Sequence, residues 1–159
     1  MSKIECDGFL YAQHVNPNEC KPGTTWFGKE IMPLQGSVMN YADPKVFRTH
    51  LHIMNPRIIN KTQECFIVVK GRLKVTISVG KPPKDVNVPK EEDIHGTEYW
   101  TLGSLEAGPG EVIFVWGGYH KIETTEKDTL AYEIKAGQFN GVVSDDKTFL
   151  DEVSHDVRA

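Results

Sequence analysis

Residues 64–79, ECFIVVKGRLKVTISV, decide the fold class. Val, Ile and Phe crowd both halves of this stretch, and such residues fit a pleated, half-buried surface. A single glycine, Gly71, parts the halves, which predicts two strands meeting at a tight hairpin or a sharp barrel corner. Further runs of the same kind predict strands at 37–41, 47–53, 64–70, 72–79, 99–105, 111–116, 120–125 and 130–135. Turn residues, 14 Gly and 9 Pro, punctuate them throughout. The pattern is that of an all-β chain.

The rest of the chain is arranged around that core. Residues 1–36 read as an N-terminal arm, 37–137 as the barrel and 138–159 as a tail, all within a single domain. Residues 80–96, GKPPKDVNVPKEEDIHG, are charged and Pro-rich and read as an excursion between strands. The tail is expected to carry one short helix, capped by Ser144 or Asp145, with Phe149, Leu150 and Val153 on one face.

Composition narrows the partners. Hydrophobic residues make up 39% and charged residues 25%, with a net charge of −4 and the two signs well mixed, so no basic face for nucleic acid is expected. The opening MSKIECDGFLYAQHV holds no apolar run of spanning or signal length, so no membrane association is expected. Cys6, Cys20 and Cys65 are odd in number and show no CxxC spacing, which argues against a disulfide framework or a zinc knot and for a cytoplasmic setting.

Three motifs carry chemistry. In FRTHLHI (47–53), alternate side chains of a strand share a face, so Arg48, His50 and His52 point one way and two imidazoles can grip one metal ion. Alternatively, that face is solvated and the histidines are idle. In TQECFIVVKG, Glu64 opens a strand on the face of Phe66 and Val68, and a carboxylate directed into an apolar interior needs a cation or a metal. At the first residue of its strand it could instead reach water. In EAGPGEVIFVWGGYHKIE, His120 follows the Gly117-Gly118 turn and is either a fourth ligand or a surface residue. A one-residue slip there would direct Tyr119 inward in its place.

These motifs resemble those of the cupin superfamily. Its first signature is H-x-H, a short spacer, Glu, six residues and Gly. Its second is Gly, five residues, Pro-x-Gly, two residues and His. Glu64 and Gly71 match the first, as do His50 and His52, although eleven residues separate His52 from Glu64. Gly110 and Gly118 match the second, with Trp116 in place of Pro and His120 one residue early. The resemblance covers residues 37–135, is similar to that of small bacterial cupins, and is weaker toward the ketoisomerase cupins of nucleotide-sugar pathways.

The resemblance implies a double-stranded β-helix, a jelly-roll barrel, holding one divalent transition metal per chain (Fe, Mn, Ni or Zn) on His50, His52, Glu64 and His120. It implies a metal-dependent enzyme of dioxygenase or isomerase type, acting on a small polar or anionic metabolite and forming a homodimer. Arg48, with Arg57 in the neighbouring loop, is the candidate anion holder, and Tyr119 or Tyr132 the candidate proton carrier. Two other readings are a metal-free sugar-nucleotide isomerase with a histidine acid/base and a non-catalytic ligand-binding module. His14, His95 and His155 are expected at the surface, and Lys135 at a strand end reaching solvent.

Overall fold

A computed structural model describes residues 1–29, 32–52, 62–84, 86–92 and 96–136. Within them the chain forms β1 (Ser2–Cys6), β2 (Phe9–Val15), β3 (Gly23–Phe27), β4 (Gly36–Asn40), β5 (Gln63–Lys70), β6 (Leu73–Val79), β7 (Lys90–Glu92), β8 (Glu98–Ala107), β9 (Val112–Val115), β10 (Tyr119–Thr124) and β11 (Leu130–Ala136). A single 3-10 turn, Pro17–Glu19, is the only helical element among the described residues. All pairings are antiparallel.

Two sheets face each other. One runs β1-β2-β9-β5-β11, the other β10-β6-β8-β7. Alternation along each strand supplies the layer between them: Ala12, Phe66, Val68, Ile113 and Val115 from the first sheet meet Leu73, Val75, Ile77, Leu105 and Ala107 from the second. The opposite face of the five-stranded sheet is also covered. There Leu10, Val15, Cys65, Phe114 and Trp116 pack under Phe27 and Met32, with Leu34 and Val38 against them, so the β3–β4 hairpin acts as a lid over a second apolar layer.

Gly71 is a corner and not a hairpin, because β5 lies in one sheet and β6 in the other. Its φ of +75° suits glycine, and an added Cβ would come within 2.8 Å of the Thr129 backbone. Trp116, standing where the resemblance would put proline, is a structural anchor. Its ring stacks on Phe114 at 5.4 Å and its indole N–H donates to the Leu34 carbonyl at 3.0 Å, tying β9 to the chain that follows β3.

Several expectations change. Residues 1–36 are not an arm: β1 and β2 are integral to the five-stranded sheet, joined at Asp7-Gly8, where both residues take positive φ. That Asp-Gly pair is a strong hairpin signal. The polar excursion contributes the short edge strand β7, paired with β8. Residues 47–52 form no strand. Val46, Phe47 and Leu51 are all exposed there, so the period-2 pattern finds neither a ladder partner nor a layer to cover its apolar side. The expected barrel is two open sheets among the described residues, with free edges at β10 and β11. Ile53, Arg57, His95 and the tail helix lie outside the described residues.

Candidate functional site

The inward row of β5 begins with Glu64 and continues through Phe66 and Val68 into the core. Glu64 is therefore a carboxylate at the end of an apolar layer, 6% exposed. In its own sheet it stands between Val115 of β9 and Lys135 of β11, each directly across a ladder. From the opposite sheet comes His120, the second residue of β10, whose backbone pairs with Ile77. By register His120 shares the face of Ile77, at an edge of the sheet where the residue itself stays partly open to solvent.

The three side chains meet. His120 Nε2 lies 2.8 Å from Glu64 Oε2, and Lys135 Nζ lies 3.3 Å from Glu64 Oε1. One buried carboxylate is thus shared by a cation from its own sheet and an imidazole from the other. Burial alone would push the Glu64 carboxyl up, but the hydrogen bonds and charges of His120 and Lys135 outweigh it and hold the group below its ordinary range. For His120, burial pushes downward. The bond to Glu64 and its charge, the Gly118 backbone and the charge of Glu133 prevail and raise it.

These opposite shifts have a consequence for stability. A raised His120 contributes fully below its ordinary value of 6.5, and the contribution fades as pH rises through the folded-state value. A lowered Glu64 contributes fully above its ordinary value of 4.5 and loses that contribution as pH falls through the folded-state value. Both act together between pH 4.5 and 6.5. Urea unfolding at pH 6 and pH 8 should show metal-free protein losing stability toward pH 8, and His120→Gln losing less. Equal losses in the two proteins would contradict the pairing.

The other candidate residues lie apart. His50 and His52 occupy the exposed 47–52 stretch, with rings 5.0 Å apart and His50 Nδ1 2.8 Å from the Arg48 carbonyl. Arg48 is exposed beside them. Among the described residues no three His, Cys, Asp or Glu side chains form a group able to hold a metal, so this pair does not join Glu64 and His120. Tyr119 is half-buried with its ring beside Gly80, on the face opposite to that of His120, which shares the face of Ile77. Tyr132 pairs with Ile67 on the face opposite Glu64 and is largely exposed.

Two residues behave differently from expectation. Lys135 does not reach solvent freely, since its side chain is only 12% exposed. Its signal was concealed by β11 itself, whose apolar alternation, Leu130, Tyr132 and Ile134, faces outward. His14 is half-buried, with Nε2 3.1 Å from Glu111 Oε2. Burial pushes the Glu111 carboxyl up, but the Gly108 N–H, His14 and Arg72 together hold it down; His14 Nε2 itself makes no well-formed hydrogen bond. Cys65, next to Glu64 but on the opposite face, is pushed up to about 11 by burial and is no nucleophile. Compared with known proteins, the chain matches no family model, no curated protein and no solved structure.

Proposed function

We propose that the chain is a cupin-like metalloprotein, a metal-dependent enzyme acting on a small anionic metabolite, with Glu64 and His120 at the centre of its site. The observation that carries this reading is the 2.8 Å approach of an imidazole and a buried carboxylate from opposite sheets. Both are donor types that suit Fe, Mn, Ni or Zn. In both imidazoles one ring nitrogen is oriented by the backbone, although His120 would have to release its Nε2 proton from Glu64 to bind a metal. The Gly118 backbone engages His120, and the Arg48 carbonyl takes Nδ1–H of His50, which in the neutral ring leaves Nε2 as the donor atom.

A metal held here supplies Lewis acidity, or O₂ binding if it is Fe(II). The protein's part is to hold the carboxylate and imidazole in place and to keep the layer beneath them dry through Phe66, Val115 and Ile77. His50 and His52 complete the set in this proposal. Residues 47–52 have no ladder partner, and β10, which carries His120, has a free edge among the described residues. Pairing along that edge would bring the two histidines beside His120, and Arg48 with them as the anion holder. The chain is further proposed to act as a homodimer, for which the exposed row Leu130, Tyr132 and Ile134 is an available apolar surface.

A second reading has its own support. Lys135 already neutralises Glu64, and a resident ammonium opposes a dication, so the His120–Glu64 pair could work without metal as an oriented acid/base couple. Elemental analysis separates the two. Freshly purified protein is expected to carry close to one equivalent of a divalent transition metal, and His50→Ala combined with His52→Ala should remove it. Metal-free protein that turns over substrate would favour the acid/base couple, and full metal in the double variant would exclude these histidines as ligands.

A further inference from the structure

Gln13 is a buried amide without a partner. It lies on the lid side of β2, in the row of Val15 and directly across the ladder from Phe114, and is 6% exposed. Among the described residues nothing hydrogen-bonds its side chain. A buried amide in that state destabilises the fold. What it lines is a cleft of about 380 Å³ between β1–β2 and the end of β3, within the range of about 300–1,000 Å³ for small-molecule sites. The cleft lies on the opposite side of the five-stranded sheet from Glu64.

The rest of the lining is chemically consistent with that amide. The cleft runs past the edge of β3 that is unpaired among the described residues, so both the buried Phe27 and the outward Trp26 line it. Trp26 is 68% exposed and offers a flat apolar face. Lys3 is the direct ladder partner of Gln13, and Lys29 is held at the rim by donating from Nζ to the Gly8 carbonyl at 3.2 Å. These two ammonium groups stand against the single carboxylate of Glu5. We infer that this cleft binds a small planar ring bearing an anionic group, a nucleotide or an aromatic carboxylate. The ring stacks on Trp26. The Gln13 amide, with one acceptor and two donors, pairs with the polar edge of the ring. Lys3 and Lys29 hold the anion.

The test titrates adenosine monophosphate, nicotinate, inorganic phosphate and glucose into the full chain and follows the Gln13 side-chain amide and Trp26 indole N–H resonances by NMR. Both resonances are expected to shift saturably with adenosine monophosphate or with nicotinate, and the one that acts identifies the source of the ring. Phosphate and glucose alone should give no saturable shift. Gln13→Met should weaken binding by roughly ten-fold, the worth of one buried hydrogen bond, while the melting temperature holds or rises because the unpaired amide is gone. Trp26→Ala, at an exposed position, should weaken binding and leave the melting temperature unchanged. No saturable response to either ring anion, or an equal response to phosphate or glucose, overturns the inference. So does parent-like affinity in both variants. A Gln13→Met protein that melts lower or does not fold assigns Gln13 a structural role and overturns it as well.

Discussion

Trp116→Ala is expected to cost about 3–5 kcal/mol, the range for removing a large buried aromatic side chain. At about 2–4 °C per kcal/mol for a domain of this size, the melting temperature should fall by roughly 6–20 °C. The side chain is 1% exposed, and it joins the lid to the sheet through its stacking on Phe114 and its bond to the Leu34 carbonyl. Neighbours cannot collapse into the space easily, because the Phe114 ring is itself held between Trp116 and Phe27, with Phe27 at 6.1 Å. Trp116→Phe should retain most of the packing but strand the carbonyl, costing about 1–2 kcal/mol. Thermal unfolding of the two variants checks both the size and the order. An Ala variant melting within a degree of the parent would mean that the lid contributes nothing to the fold.

Glu64→Gln should produce the second largest effect, about 2–3 kcal/mol, and should abolish tight metal binding. Breaking a buried ion pair by removing one partner typically costs about 3–5 kcal/mol, because a charge is left without compensation. The lower figure applies here since His120 is 29% exposed and can give up its proton, while the Lys135 stem can carry its ammonium outward. The amide keeps the shape of the carboxylate, so packing is not at issue. Denaturant midpoints at neutral pH measure the cost. A variant as stable as the parent would show that the cluster has no net stabilising role.

Much of the scaffold is legible in local sequence because local chemistry determines it. Gly71 turns the chain between sheets because it alone tolerates that φ beneath Thr129. Glu64 is legible because it shares its face with Phe66 and Val68 in β5, whereas at His120 and Tyr119 the sequence leaves two registers open and the pairing of His120 with Ile77 decides between them. What is not local is harder to read. The alternation in FRTHLHI says which side chains share a face, but not whether a partner strand is available, and residues 47–52 have none among those described. The alternation in β11 points to the wrong face, because an edge strand can leave Leu130, Tyr132 and Ile134 exposed while the Glu64 carboxylate on the neighbouring strand draws Lys135 in. The Asp7-Gly8 turn was a local signal, and read as such it would have placed β1 and β2 in the sheet.

The central claim, that Glu64 and His120 together form a metal centre, is tested most directly by titrating zinc into the parent protein and His120→Ala by calorimetry. Even outer-shell partners of metal ligands are worth about 10- to 100-fold in affinity, so loss of a direct ligand should weaken binding by at least about ten-fold. A His120→Ala protein that binds zinc as the parent does would contradict the claim.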